Sequence, residues 1–252
     1  VSRDIDLLKR IQRNKPVLVS FSFSSVDEKL SRLFEPGVPS PAEKLDLIRR
    51  LKDQGISCGI FLMPLIPFLS DTPEQVDMVF SKAAEVGIDF IVFGGMTLKE
   101  GIQKQYFYKL IKNHYSDLLS RYQSLYSDIT PWGNASDDYY TEVNRRCFSI
   151  AERYRIPIRI PPSIYSDLIS GNDRIIVILE HLDYLLRLKN RTSSYGYVAY
   201  ALSKLGKSVS SSSDEELLRL RGIGPSTLSM IREIDRHGRC RYLEDMAPSY
   251  RS

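Results

Sequence analysis

The pattern of apolar and polar positions in residues 16–24 alternates with a period of two, which is typical of a β-strand. One face of this predicted strand would carry Val17, Val19, Phe21 and Phe23, and the other Leu18, Ser20, Ser22 and Ser24. The apolar face is suited to contact covering helices, and the serine-rich face is suited to line a barrel lumen or a ligand cavity. The two faces therefore predict two different neighbours for one strand.

Helical and strand patterns alternate after this first strand. Residues 41–54 place apolar side chains at helical spacing before Gly55, and residues 73–86 form a second predicted helix before Gly87. Strands are predicted at residues 57–65 and 89–94. Short connections between alternating strands and helices predict parallel pairing with right-handed crossovers.

The later part of the repeat contains longer helical segments, predicted at residues 103–126, 136–154 and 173–188. A fourth short strand is predicted at residues 156–160, where Pro161 and Pro162 would end it. The predicted fold class is therefore α/β.

Residues 1–205 are interpreted as a partial (β/α) TIM-type barrel with about four recognisable parallel strands, because a closed barrel of this type has eight. The first 15 residues have the pattern of a crossover helix arriving from an earlier strand. The chain is thus interpreted as the later part of a larger βα architecture. The strand at residues 16–24 would expose a sheet edge, which predicts self-association unless another chain or a missing segment covers it.

Residues 206–213 are predicted to be a linker because they are rich in serine. Residues 214–252 would then form a small all-α domain. Its most informative feature is the pair Gly222 and Gly224, which flank Ile223 between two helical patterns. The apolar side chain is expected to insert between the helices, while the glycines permit unusual backbone angles and close approach of a ligand.

This segment resembles the helix-hairpin-helix family, whose hairpin binds the sugar-phosphate backbone of nucleic acids without reading bases. Pro225 suits the first turn of the second helix, and the free amides there would attract a phosphate. The predicted nucleic-acid-binding residues are Arg221, Gly222, Ile223, Gly224 and Ser226. Residues 206–252 carry eight Lys or Arg and seven Asp or Glu, so we expect weak, sequence-independent binding. An ordinary helical hairpin that only packs, or that binds a protein, is the alternative.

Composition indicates a globular cytoplasmic protein. The 252 residues are 42% hydrophobic and 26% charged, with a formal net charge of +4, which permits an acidic partner without requiring one. The three cysteines, Cys58, Cys147 and Cys240, are widely separated, so buried free thiols are expected and a disulfide framework is not. No apolar run approaches the roughly 20 residues of a membrane span, and the three histidines have no metal-ligand spacing.

Aromatic residues are concentrated in the predicted helix at residues 103–126. They are Tyr106, Phe107, Tyr108, Tyr115, Tyr122 and Tyr126. Their spacing places several on one helix face, which favours packing over stacking on nucleic-acid bases.

Several phrases of the first half together resemble one family. They are Arg3-Asp4-Ile5-Asp6-Leu7-Leu8, Ser20-Phe21-Ser22, Glu35-Pro36-Gly37, Pro64-Leu65-Ile66-Pro67 with Asp71, Gly94-Gly95-Met96-Thr97-Leu98-Lys99, Tyr106-Phe107, Tyr122, Tyr126, Trp132-Gly133 and Ile156-Pro157-Ile158-Arg159-Ile160-Pro161. In order and spacing they are similar to the C-terminal half of radical S-adenosylmethionine proteins of the spore-photoproduct-lyase-like branch, over about residues 1–165.

The resemblance implies that the complete protein uses S-adenosylmethionine and a [4Fe–4S] cluster. The family's C-x-x-x-C-x-x-C loop is absent from this sequence, and cluster ligation depends on closely grouped thiolates. No cofactor is therefore expected on this chain alone. Either an N-terminal half or a separate cluster-bearing subunit is missing, or the chain descends from the family and has lost the chemistry.

The resemblance also implies that the ends of the strands line the S-adenosylmethionine side of the barrel, which agrees with the general position of ligands in parallel βα sheets. The predicted cofactor-binding residues are Ser22, Ser24, Glu35, Pro64, Pro67, Gly94 and Gly95. The serines have an alternative role as small packing residues, and Glu35 as a turn residue.

The leading interpretation is the C-terminal part of a radical S-adenosylmethionine enzyme whose tail engages nucleic acid, with this chain inactive by itself. The alternative is a noncatalytic module, built on a βα scaffold, that binds nucleic acid or protein.

Overall fold

The computed structural model describes residues 1–127 and 132–250. It consists of two compact units, one formed by Val1–Lys9 with Leu18–Ile158 and the other by Arg10–Val17 with Arg159–Ser252. Helix α1 (Ile5–Gln12) is divided between them. The division falls at Ile158 and Arg159, whereas the sequence placed a boundary at residues 206–213. Residues 251 and 252 of the predicted hairpin domain lie outside the described residues.

The first unit contains a parallel sheet of three strands in the order β1 (Leu18–Phe23), β2 (Ser57–Leu65) and β3 (Phe90–Gly95). Phe21 is aligned with Ile60, and Ile60 with Ile91. The predicted parallel pairing is confirmed, and the fold is α/β.

The predicted fourth strand at residues 156–160 is wrong, because this segment has no strand structure. Its link to the sheet is a hydrogen bond in which the backbone N–H of Ile91 donates to the carbonyl of Pro157 at 2.8 Å. Pro157 has no N–H to return, so a regular ladder cannot continue through it.

Helices α2 (Glu28–Phe34), α3 (Pro41–Asp53) and α4 (Pro73–Glu85) follow the first two strands. Helix α3 begins at a capping box between Ser40 and Glu43, and Thr72 caps α4, so both starts are set by local hydrogen bonds. Both helices lie within one residue of their predicted bounds.

The predicted helix at residues 103–126 is broken in two. Helix α5 (Ile102–His114) ends before a 3₁₀ turn (Ser116–Leu118), and α6 (Leu119–Leu125) follows. The break brings the rings of Phe107 and Tyr122 to 5.1 Å in an edge-on contact. A continuous helix would place these two residues about 22 Å apart, so aromatic packing favours the bend. Helix α7 (Asp137–Tyr154) completes the unit.

The two faces of the sheet have different surroundings, as the alternation in β1 predicted. Lys44 of α3 lies over the Phe23 ring, 5.1 Å from its centroid, and this face also carries the buried residues Leu62 and Phe93. On the opposite face Ser20 and Ser22 are exposed.

The second unit is helical, with α8 (Asn172–Leu188), α9 (Tyr195–Ser203), α10 (Asp214–Leu218), α11 (Pro225–His237) and α12 (Arg241–Met246). Short 3₁₀ turns lie at Pro162–Ile164, Ser166–Leu168, Val209–Ser211 and Pro248–Tyr250. Helix α8 matches its predicted bounds to within one residue. Its Ile178, Leu182 and Leu185 are buried, so burial outweighs the β-branched composition of its first turns.

The serine-rich segment 206–213 is packed into this unit. Val209 and Ser212 are buried, and the Arg232 guanidinium donates to their carbonyls at 2.8 and 2.6 Å. Ser208 caps the 3₁₀ turn, and Ser213 forms a capping box with Glu216 at the start of α10. These serines cap helices and turns. Serine is favoured at cap positions as well as in flexible linkers, so the serine-rich composition did not by itself indicate a linker.

No helix in the part of the chain that the structure describes is long and apolar enough to cross a membrane.

Candidate functional site

The carboxyl end of β1 is held by an ion pair between the buried Lys44 and the partly buried Glu35. Lys44 Nζ lies 3.0 Å from Glu35 Oε2 and also donates to the carbonyl of Ser22 at 3.0 Å. The backbone N–H of Ser24 donates to Glu35 Oε1 at 3.0 Å. Lys44 is only 7% exposed. Both oxygens of the predicted ligand Glu35 are therefore occupied by the protein itself.

Ser24 differs from its neighbours at this end of the strand. It is 2% exposed, and within residues 1–127 and 132–250 its Oγ meets no hydrogen-bond partner. The hydroxyl of the next residue, Ser25, donates to Gln75 at 3.1 Å, and Ser22 is exposed. A buried hydroxyl without a partner carries a free-energy cost, which a bound polar group would relieve.

The loop after β2 uses its two predicted prolines differently. Pro64 is exposed, whereas Pro67 is buried and its carbonyl accepts a hydrogen bond from the Tyr122 hydroxyl. The sequence predicted backbone groups of this loop that stay available to a ligand. At Pro67 that prediction is wrong, because a tyrosine 55 residues away takes the carbonyl.

Gly94 and Gly95, at the end of β3, also have different surroundings. A Cβ atom on Gly94 would make ordinary contacts with the Met63 side chain at 3.7 Å. A Cβ atom on Gly95 would lie 2.1 Å from the Tyr140 ring. Gly95 is thus required for the packing of Tyr140, and the close approach there is made by the protein.

A layer of tyrosines covers the carboxyl ends of β2 and β3, and sequence reasoning did not place it there. Tyr126 and Tyr140 both donate to the carbonyl of Met96 at 2.8 Å, and Tyr139 donates to the Asp71 carboxylate. Burial raises the pKa values of Tyr126 and Tyr139 well above the usual range. These hydroxyls therefore act as neutral hydrogen-bond donors. The packing predicted for Tyr122 and Tyr126 is confirmed, since both are buried.

Asp71 is the buried carboxyl group of this layer, 3% exposed. Burial raises its pKa, while the Tyr139 hydrogen bond and the Arg146 charge oppose that shift. Arg146 also donates to the Asp71 carbonyl. Asp71 belongs to one of the motifs that carry the family resemblance, but sequence reasoning assigned it no role. No local pattern links it to Tyr139, which lies 68 residues away in the sequence.

The cysteines are buried thiols, as predicted. Burial raises the pKa of Cys58 to about 11 and that of Cys147 to about 12, and it raises the pKa of Cys240. Among the residues with described positions, no three His, Cys, Asp or Glu side chains lie close enough to hold a metal ion.

The glycine hairpin of the second unit has the predicted shape. Helix α10 is followed by a turn, and α11 begins with Pro225 at its first position. Gly222 has a φ of +91°, which favours glycine, and Ile223 between the glycines is buried. Gly224 has a φ of −100°, open to any residue, and a Cβ atom there would meet nothing within 4 Å. Only Gly222 is needed for the turn.

The start of α11 offers uncapped amides at the surface. Gly224 occupies the N-cap position and supplies no side-chain cap, so the first amides of the helix have no intrahelical acceptor. Arg221 and Ser226, on either side, are exposed. The structure therefore brings together the predicted residues of the hairpin, in contrast to those of the strand ends.

The curated relatives that match the chain are longer proteins without an assigned function. Uncharacterized proteins of Mycobacterium tuberculosis and Mycobacterium bovis are each 30% identical over 124 residues, which is 49% of this chain and 36% of the relative. An uncharacterized protein of Acidianus two-tailed virus is 29% identical over 114 residues, 44% of this chain and 37% of its own length. The matched part is thus little more than a third of each relative. No family model and no solved structure matches the chain.

Proposed function

We propose that the first unit is the C-terminal part of a radical S-adenosylmethionine protein, and that the hairpin of the second unit binds nucleic acid. The radical S-adenosylmethionine proposal is supported by the positions of the motifs in the sheet. The family-like phrases at residues 20–22, 64–67 and 94–99 lie on, or directly after, three successive parallel strands. In such folds, ligands bind beyond the carboxyl ends of the strands.

The residues of this chain do not fit an iron–sulfur cluster. Cluster ligands are thiolates that lie close together, and the three cysteines here are separate, buried thiols with raised pKa values. In this proposal the cluster ligands belong to another part of the complete protein.

One of the predicted residues fits S-adenosylmethionine, since the unpartnered Oγ of Ser24 would donate to a polar group of the ligand. The Cβ side of Gly94 faces the Met63 side chain at 3.7 Å, so a ligand would have to displace that flexible side chain to reach the backbone there. Glu35, Pro67 and Gly95 are engaged within the protein, as described above. In the family, S-adenosylmethionine bound to the cluster supplies radical chemistry.

The barrel proposal also gives a role to the exposed edge of β1. An open groove of about 880 Å³ lies beside this strand, lined by Ser20 and Ser22 and by Lys44 and Leu47 of α3. A further strand paired with β1 would occupy such a groove and satisfy the free edge. The proposed occupant is the missing barrel half or a cluster-bearing subunit, and self-association of this chain is the competing occupant.

Iron–sulfur reconstitution tests the barrel proposal. Under anaerobic conditions this chain alone should acquire no [4Fe–4S] absorption spectrum, and the complete protein of this proposal should acquire one. A stoichiometric cluster on this chain would overturn the assignment of the ligands elsewhere. A complete protein that binds no cluster would remove the radical chemistry and leave a noncatalytic βα scaffold.

The second half of the proposal is carried by the geometry of the hairpin. The positive φ of Gly222, the buried Ile223 and the uncapped start of α11 expose backbone amides beside Arg221. Amides and one cation are suited to bind phosphate oxygens, contacts that position a protein without reading sequence.

Fluorescence anisotropy of labelled DNA and RNA against salt tests nucleic-acid binding. We expect dissociation constants in about the micromolar range at physiological salt, with little sequence preference. Gly224→Val should weaken binding without unfolding the chain, since its Cβ position is open. Gly206→Val is the matched control, because Gly206 is equally open and lies outside the hairpin. No binding at low salt by the folded protein would leave the hairpin as a packing or protein-docking element.

A further inference from the structure

Two tyrosines of α9 are left uncovered in the second unit. Tyr197 is 73% exposed and Tyr200 is 65% exposed. They are three positions apart, so they are neighbours on the surface of one helix. Val198 and Leu202 of the same helix are fully buried, so packing holds α9 in place and the two tyrosine rings remain at the surface.

Helix α9 lies directly against the glycine hairpin. A Cβ atom on Gly222 would lie 3.2 Å from Val198 Cγ2 and 3.9 Å from Ser194 Cβ. Ser194 precedes Tyr197 by three residues and is therefore its neighbour along the same side of the helix. The aromatic pair is therefore carried by the helix that packs against the glycine hairpin.

The segment that contains the pair has an excess of positive charge. Residues 183–221 carry seven Lys or Arg and four Asp or Glu. Three of those acidic residues pair with cations, Asp183 with Arg187 at 2.8 Å, and Asp214 with Arg232 and Glu216 with Lys207 at 2.7 Å. Lys204 Nζ lies over the Tyr200 ring, 5.4 Å from its centroid.

We infer that Tyr197 and Tyr200 form a stacking platform for the bases of a single-stranded nucleic acid whose backbone is held at the hairpin. The inference rests on the proposed nucleic-acid function and names its substrate class. Exposed aromatic rings beside cations bind unpaired bases, since every base offers a π face. Duplex bases are already stacked on one another and cannot reach a surface ring.

The experiment compares the full chain and its variants on a labelled single strand and on the duplex of the same sequence, by fluorescence anisotropy at several salt concentrations. The wild-type chain should bind the single strand more tightly. Replacing both tyrosines, Tyr197→Ser with Tyr200→Ser, should lower single-strand affinity about tenfold or more. Duplex affinity and the salt dependence should change little, because no charge is removed.

Three further variants make the result specific. Tyr197→Phe with Tyr200→Phe keeps the rings and should retain single-strand affinity. Tyr106→Ser removes a tyrosine that is 60% exposed on α5 of the first unit, and it should have no effect. Arg221→Ala should reduce the salt dependence of both complexes by about one ion.

The possible outcomes separate the platform from the hairpin. If the serine variants bind like the wild type while Gly224→Val weakens binding, the platform is wrong and the hairpin function stands. A preference for the duplex, or an equal loss on both probes, also overturns the platform. No binding by any form of the protein overturns both.

Discussion

The carboxyl ends of the strands and the glycine hairpin both contain polar residues and glycines. At the strand ends these residues are in contact with other side chains, whereas at the hairpin the polar residues are exposed. At the sheet edge, Glu35 is paired with Lys44, and Gly95 is covered by Tyr140. At the hairpin, Arg221 and Ser226 are exposed and Gly224 has open space around it. Small and polar residues therefore indicate a binding site only where the fold leaves them without partners, and the unpartnered hydroxyl of Ser24 is the exception at the sheet edge.

The largest expected effect concerns the ion pair at the end of β1. Glu35→Leu would leave the buried Lys44 charge unpaired and should lower the free energy of unfolding by about 3 kcal/mol, as for other broken buried pairs. Urea denaturation measures the loss. The double variant with Lys44→Met should recover most of it. If the single variant is as stable as the wild type, Glu35 does not stabilise Lys44 and is available to a ligand. The strand end would then no longer differ from the hairpin in this respect.

The two adjacent glycines at the end of β3 provide the next test. Gly95→Ala should cost about 2 kcal/mol of unfolding free energy, because its Cβ would overlap the Tyr140 ring. Gly94→Ala is the matched control and should cost less than about 1 kcal/mol, since its Cβ makes ordinary contacts. Equal costs for the two variants would argue against a tightly covered strand end.

Hairpin glycines should show a similar but smaller contrast. Gly222→Ala places a side chain at positive φ and 3.2 Å from Val198, and it should lower the unfolding free energy by about 1–2 kcal/mol. Gly224→Ala should change it by less than about 0.5 kcal/mol. Thermal or urea denaturation of both variants decides this, and a large loss for Gly224→Ala would contradict the open space beside Gly224.

The smallest expected effect is a pH dependence from Asp71. Its pKa is raised in the folded protein, so the folded state binds more protons than the unfolded state as pH rises from about 4. This carboxyl group therefore makes the fold less stable as pH increases through that range. Asp71→Asn removes the titrating group.

The matching measurement is the difference in unfolding free energy between Asp71→Asn and the wild type at about pH 4 and about pH 7. The variant should gain stability relative to the wild type at the higher pH. A constant difference would show that the Tyr139 hydrogen bond and Arg146 cancel the cost of burial.

Local patterns predicted most of the regular structure. Strand β2 has its predicted bounds, and α3, α4 and α8 lie within one residue of theirs. The segments whose structure was predicted wrongly depend on contacts between residues that are far apart in the sequence. Phe107 and Tyr122 break the predicted long helix by packing on each other, and Arg232 orders the serine-rich segment. The candidate site shows the same division, since the hairpin was found from adjacent residues and the Asp71–Tyr139 contact spans 68 residues.

The sequence alone determined the bounds of β2, α3, α4 and α8 and the place of the glycine turn, because periodicity, capping and backbone freedom act within a few residues. It also determined that Gly222, Ile223 and Gly224 share one turn. Only the tertiary structure decided which polar groups remain available. Whether Glu35, Pro67 or Gly95 can meet a ligand depends on Lys44, Tyr122 and Tyr140, and these partners approach only when separate elements pack together and exclude water.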